Sequence, residues 1–364
     1  FGRAWGPLVP VAALLLPGLL GVALAGERGA GGDRNAPRPP AGSPNVLMIM
    51  VDTLRVDEVG AYNDEARKRK QTPNIDKLAK ESIVFRQAFA NASWTKPSVA
   101  SILTGRYPSS HGAVAKDDAL PDGARTVAEL LSAKGYRTAG VVTNYNLAPD
   151  FNFQQGFDDY RYLTPRYFLG ADDTTAKLAL YQIFRLVHER YFTGAHEVDR
   201  YYKDAKRTTD EGLDWLDRHR TAEPGRPFLL WVQYMDPHDP YFAHDGTSDV
   251  FGHAIDPNPP KDKRDRILEL YRQEIRFTDE HIGRLLDGLR ERGLLDNTVV
   301  VLWSDHGEEF QDHGDWWHGT TLYDELVHIP LIVRPPRAEP RVGLDRPPQK
   351  HKQRDGPGWV SLVD

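Results

Sequence analysis

Between Asn45 and Asp52 the chain reads Val-Leu-Met-Ile-Met-Val, an apolar run with no polar interruption. A strand with one wet face alternates apolar and polar residues. A continuous run is instead buried on both faces, in the middle of a parallel sheet. Such a sheet needs helices above and below it. Pro227-Phe-Leu-Leu-Trp-Val-Gln-Tyr234 and Thr298-Val-Val-Val-Leu-Trp303 have the same character, and Ile83–Phe85, Tyr136–Thr143 and His328–Val333 read as further strands. Helical patterns lie between them. Thr126–Lys134 is a short amphipathic helix stopped by Gly135. Arg264–Arg292 is a long one stopped by Gly293, with Ile267, Leu270, Tyr271, Ile275, Phe277, Ile282, Leu285, Leu286 and Leu289 facing inward. The predicted fold is α/β: a mostly parallel central sheet sandwiched by helices.

With 364 residues, 40% of them hydrophobic, the chain can bury one large core or two modest ones. A net charge of -6 argues against a general nucleic-acid binder. The absence of cysteine excludes disulfides, zinc–thiolate sites and a Cys nucleophile. Pro7–Ala25 is apolar, follows Arg3 and ends in the small residues Ala23-Leu-Ala25. Residues 1–26 are therefore expected to be a signal peptide or a membrane anchor, and 27–44 a Gly/Pro-rich linker. This implies an exported protein, periplasmic or extracellular, touching a membrane only through its N-terminal segment. Residues 160–222 carry two helical patterns, one around Tyr181–Val187 and one over Thr209–His219; they either line a substrate cleft or form a surface layer over the sheet.

Open α/β sheets place their sites at the carboxyl ends of the strands. Asp52 ends the first run, and Asn144 follows Tyr136–Thr143. His238 lies in Met235-Asp-Pro-His-Asp-Pro-Tyr241, a rigid loop after the Pro227–Tyr234 strand, with Asp239 placed to orient it. Asp305 and His306 follow the Thr298–Trp303 strand, offering an oxygen and a nitrogen ligand that suit zinc or manganese better than calcium. The stretch Asn91–Arg106 reads as a turn opening a helix, with Pro97 at the first helical position, Lys96 or Thr95 as cap and Gly105 as stop. A hydroxyl there sits where helix N–H groups favour an anion. Taken alone, that stretch is a helix cap and nothing more.

The segments together, in this order, resemble the sulfatases of the alkaline phosphatase superfamily. The sulfatase pattern is Cys or Ser, any residue, Pro, any residue, Arg, then a short helix ending in Thr-Gly-Arg. Here Pro97 sets the register, so Thr95 takes the nucleophile position and Val99 the Arg position, and Leu103-Thr-Gly-Arg-Tyr-Pro-Ser-Ser-His-Gly112 continues the pattern. Asp52 matches the first metal-binding segment, with Thr53 where many members carry a second aspartate. His318-Gly-Thr-Thr-Leu-Tyr-Asp-Glu325 matches a Lys-Gly-Thr run and puts His318 at the substrate-binding Lys position. A Gly-Lys-x-His element of the family is absent near Asn144. The family continues into a smaller C-terminal subdomain, which is expected to be truncated here.

The resemblance implies an alkaline-phosphatase-like catalytic domain over 45–364 and one divalent metal ion (manganese, zinc or calcium) held by Asp52, Thr95, Asp305 and His306. Thr95 would be the metal-bound nucleophile. His111, His238 and His318 would surround the transferred group, and His313 has no assigned role. Threonine cannot become the formylglycine aldehyde of sulfatases, so no formylglycine is expected. The implied activity is hydrolysis of sulfuric or phosphoric esters, of a glycan or an envelope component. The alternatives are an envelope phosphoryl-group transferase, which the single-metal pattern with Thr favours, and an inactive glycan-binding domain, which the loss of Arg at Val99 favours.

Overall fold

A computed structural model describes residues 39–164, 203–253, 255–337, 354–355, 359–361 and 363. The expected signal peptide or anchor, most of the linker and the helical pattern at Tyr181–Val187 lie outside the described residues. The strands are β1 (Asn45–Val51), β2 (Ile83–Phe89), β3 (Arg137–Val142), β4 (Asp159–Tyr162), β5 (Phe228–Tyr234), β6 (Tyr241–Phe242), β7 (Val250–Phe251), β8 (Thr298–Ser304), β9 (Glu309–Phe310), β10 (Trp316–Trp317), β11 (His328–Arg334), β12 (Arg354–Asp355) and β13 (Trp359–Ser361). The main sheet runs β12-β2-β11-β8-β1-β5-β3-β4, with β13 also on β2. β4, β3, β5, β1 and β8 are mutually parallel, while β11 is antiparallel to both its neighbours.

Side-chain alternation along the central strands fills two separate cores. Leu47, Ile49 and Val51 of β1, Leu230 and Val232 of β5, and Val300 and Leu302 of β8 point to one face. They meet the helices Ala205–Ala222 and Arg264–Glu291 there, through Trp215, Leu216, Ile275, Ile282 and Leu285. Met48, Met50, Trp231 and Trp303 point to the other face, against Val99, Ala100 and Leu103 of the helix Thr95–Thr104 and Ala128 of the helix Val127–Ser132. Both faces are dry, which is why the runs show no alternation in sequence.

Pro97 occupies the third position of its helix rather than the first, since the helix begins at Thr95 with Trp94 as cap. The whole first turn lacks intrahelical N–H partners, so a proline costs nothing there. Gly105 ends the helix in the left-handed conformation (φ 63°). The pattern read over Thr209–His219 is the middle of Ala205–Ala222.

A buried carboxylate joins two layers of helix. Asp279, on Arg264–Glu291, accepts from the Asn74 and Ile75 amides (3.0 and 2.8 Å) and from Asn74 Nδ2 (2.9 Å), capping the helix Pro73–Ala79 from outside. Burial pushes its pKa up to about 6. Asp279→Ala should destabilise the fold by about 1–3 kcal/mol, because it orphans buried donors; thermal unfolding followed by circular dichroism measures this. A raised folded pKa means the protonated form is favoured by folding, so this contribution is complete below about pH 4 and is lost as pH rises through 6. Asp279→Asn should flatten that part of the stability–pH curve.

Candidate active site

In the sheet, Val51 of β1 lies level with Tyr234 of β5 and Ser304 of β8. The next residues of β1 and β8, Asp52 and Asp305, therefore leave the sheet side by side. The Asp52 amide donates to the Tyr234 carbonyl (2.9 Å), and Thr53 turns the chain with φ 53°. Ser304 Oγ accepts from the Leu54 amide (2.9 Å) and donates to the His306 carbonyl (2.6 Å), so one hydroxyl fixes both turns. Ser98 Oγ donates to the Asp305 carbonyl (2.6 Å) and docks the Thr95–Thr104 helix on the end of β8. Gly307 passes so close to Glu325 that a Cβ would overlap its carbonyl oxygen.

Asp52, Asp305 and His306 each offer a ligand atom, all within 4.8 Å of one another and fully buried. His306 Nε2 is 3.3 Å from Asp305 Oδ2 and 3.8 Å from Asp52 Oδ1. Thr95 Oγ1 lies 3.4 Å from His306 Nε2. His306 Nδ1–H donates to the Gly307 carbonyl (2.9 Å), which leaves the Nε2 lone pair facing the carboxylates. Burial pushes the Asp52 carboxyl up, and pushes Asp305 well up with the Asp52 charge adding to it. Burial also pushes the His306 imidazole well down.

A divalent cation fits this set. Asp52 Oδ1 and Asp305 Oδ2 are buried without a hydrogen-bond partner, an arrangement that costs free energy unless a cation meets them. The residues that would hold it are Asp52, Asp305 and His306, an O, O, N set matching zinc or manganese more closely than calcium. Thr95 Oγ1 stands beside them.

The remaining oxygen of Asp52 is held from behind. Asp52 Oδ2 accepts from Asn144 Nδ2 (2.7 Å) and Gln233 Nε2 (3.1 Å). Gln233 Oε1 accepts from the Thr143 and Asn144 amides (2.8 and 3.1 Å), and Asn144 Nδ2 also lies 3.4 Å from Thr95 Oγ1. His318 and His238 extend the site outward. The His306 and His318 rings are 4.5 Å apart and the His318 and His238 rings 4.9 Å. His318 Nδ1 bonds Glu308 Oε1 (2.8 Å), and Tyr241 OH donates to Glu308 Oε2 (2.8 Å). Burial opposes the His318 charge, but the Glu308 carboxylate outweighs it and raises the imidazole above its ordinary pKa. His238 Nδ1 bonds the backbone carbonyl of Asp239 (2.7 Å), not its carboxylate, which accepts from the His253 amide instead. In all three histidines Nδ1 is committed to a fixed acceptor and Nε2 is left for the site.

His111 is not brought into this group. Its Nδ1 accepts from the Ala113 amide (3.1 Å) and its Nε2 faces Ser101 Oγ (3.1 Å), so both nitrogens are used in bracing the Thr95–Thr104 helix. Val99, at the position where the resemblance places Arg, is wholly buried in the core. Lys96 is equally buried, but its ammonium turns away, to the Lys116 and Asp118 carbonyls and the face of Phe151. Glu308 and Gln233 were not singled out in the sequence. Glu308 could have been noticed as an acid next to Asp305-His306-Gly307, but neither a spacing rule nor composition marks Gln233.

Residues 44–356 match the model of the Sulfatase family, most of the chain. The chain belongs to the Sulfatase family. It is 26% identical over 334 residues to the uncharacterized sulfatase YidJ of Escherichia coli (strain K12), covering 82% of this chain and 64% of that protein. It is 29% identical over 324 residues to the ulvan-active sulfatase of Formosa agariphila, covering 83% of this chain and 58% of the relative. The chain thus spans somewhat under two thirds of the length of these relatives. Among solved structures, the phosphonate monoester hydrolase of Agrobacterium radiobacter shares the fold at a TM-score of 0.61 with 19% identity, covering 88% of this chain and 72% of that one.

Gln233 holds both Asp52 and the amides that open the Asn144 loop. Gln233→Ala should weaken binding of manganese or zinc by roughly 10–100-fold, the usual cost of losing a group that orients a ligand. Calorimetric titration of the metal-stripped protein measures this.

Proposed function

We propose that this sulfatase-family chain is a metal-dependent hydrolase of sulfuric or phosphoric esters in which Thr95 is the nucleophile. The observation that carries the reading is the convergence of the Thr95 hydroxyl on His306 Nε2, beside two buried carboxylates that each expose an unpartnered oxygen. A divalent cation bound by Asp52, Asp305 and His306 supplies Lewis acidity, lowering the proton affinity of an adjacent hydroxyl and drawing charge from the ester.

The chain's own residues do the rest. Thr95 Oγ1 gives up its proton to bulk water and forms a bond to phosphorus or sulfur while the bond to the alcohol oxygen breaks. Asn144 Nδ2, near both Thr95 Oγ1 and Asp52, keeps the hydroxyl oriented. His318, held by Glu308, and His238 present Nε2 to the transferred group, where they stabilise its oxygens and protonate the leaving alcohol. Water then releases the group from Thr95. Threonine cannot be oxidised to the aldehyde that sulfatases use, which favours phosphoric over sulfuric esters. The family relationship, including a relative described as acting on ulvan, favours a glycan or another envelope component as the alcohol part. We place the protein outside the cytoplasm on the strength of residues 1–26.

Nitrophenyl sulfate, phosphate monoester and phosphate diester, offered to the full natural chain with manganese or zinc, test this reading. Turnover is expected on a phosphoric ester and should disappear with chelator. Thr95→Ala should lower it on the order of 10⁴-fold or more while keeping the metal, and Thr95→Ser should keep part of it. Undiminished turnover by Thr95→Ala would remove Thr95 as nucleophile. No metal in the purified protein, with no turnover of any ester, would favour the glycan-binding alternative.

A further inference from the structure

Among the described residues, four buried carboxylate oxygens lack any hydrogen-bond partner: Asp52 Oδ1, Asp236 Oδ2, Asp305 Oδ2 and Glu309 Oε2. Asp52 and Asp305 belong to the strand-end cluster. Glu309 belongs to a separate group with His313 and Glu325, whose ligand atoms also lie within 4.8 Å of one another. We propose that Glu309, His313 and Glu325 bind a second divalent cation, of the zinc or manganese class.

Each residue is already held in place. Glu309 is 1% exposed, and its Oε1 accepts from the His313 and Asp315 amides (3.1 and 3.0 Å). Those bonds fix the carboxylate and leave Oε2 out of water and without a hydrogen-bond partner. His313 Nδ1 is 2.6 Å from Glu325 Oε1, and its ring lies flat on Tyr323 at 3.7 Å. The imidazole therefore has little rotamer freedom to lose on binding a metal.

The local charge is unbalanced in the direction a cation corrects. Two carboxylates face one imidazole. The neighbouring guanidiniums are committed elsewhere: Arg55 to Asp57 and Asp312, and Arg264 to Asp312 and the Phe310 carbonyl. Two carboxylates with one imidazole repeat the donor set of Asp52, Asp305 and His306, and three protein ligands leave a position for water. His313 is exposed on its outer side, which gives the ion an entry path.

The location suggests what the ion does. Glu309 is in β9, His313 in the turn between β9 and β10, and Glu325 in the helix Asp324–Val327. An ion there ties the β9–β10 hairpin to that helix, on the same segment that carries His318. The role is structural, distinct from the chemistry at Thr95.

Zinc titration of the chelator-stripped full chain, with zinc content read by mass spectrometry, decides the matter. Wild type should bind two equivalents and His313→Ala one. Asp305→Asn, which disables the strand-end cluster, should keep one equivalent, and Asp305→Asn combined with His313→Ala should keep none. Glu325→Gln, which preserves side-chain volume, should behave as His313→Ala does, with unchanged circular dichroism in both. No zinc on Asp305→Asn, or one full equivalent remaining on the double variant, would overturn the proposal.

Discussion

The site depends on one piece of register. β8, β1 and β5 run parallel, with Ser304, Val51 and Tyr234 side by side. A shift of one residue would send every side chain of a strand to the opposite core and part the two aspartates. The cores prevent that shift. Leu47, Ile49 and Val51 fit the layer beneath the long helix, while Met48 and Met50 fit the layer beneath the Thr95–Thr104 helix. Packing well below the strand ends thus sets the distance between Asp52 and Asp305.

Around that fixed point the fold holds an arrangement that opposes its own stability. Two acids and an imidazole are fully buried at the carboxyl ends of β1 and β8, with oxygens left unpaired. A folding sequence avoids such groups unless something later compensates them. The surrounding bonds make the arrangement tolerable: the Ser304 hydroxyl pins two turns, and Gln233 satisfies two amides and one carboxylate oxygen. His306, His318 and His238 follow a common rule, Nδ1 to a fixed acceptor, which settles their tautomers.

Much of the fold could be read from the sequence, because strands buried on both faces announce themselves as continuous apolar runs. Asp52, Asp305 and His306 could be expected together because Asp52 directly follows one such run and the other two follow a second after Ser304. Thr95 was picked out only through the family resemblance, with Pro97 setting the register; the helix alone reads as no more than a capped turn. The exact start of that helix was not legible, since a proline fits anywhere in a first turn. His111 misled for a physical reason: a histidine close in sequence to a helix mouth can serve equally well as a brace beneath it. Gln233 and Glu308 escaped notice because their roles come from strand pairing and loop closure, which bring β5 beside β3 and Tyr241 beside the β8 loop. Asp239 went astray because the acceptor that orients His238 is a backbone carbonyl, which no side-chain pattern reveals.

The double attachment of Gln233 makes the loop after β3 and the Asp52 carboxylate one mechanical unit. Its oxygen carries the backbone of Thr143 and Asn144, and its nitrogen carries Asp52 Oδ2. A displacement of the loop at Asn144 is therefore transmitted through one amide side chain to the Asp52 carboxylate. Loop position and carboxylate aim are set together in this chain, by a residue that belongs to neither segment.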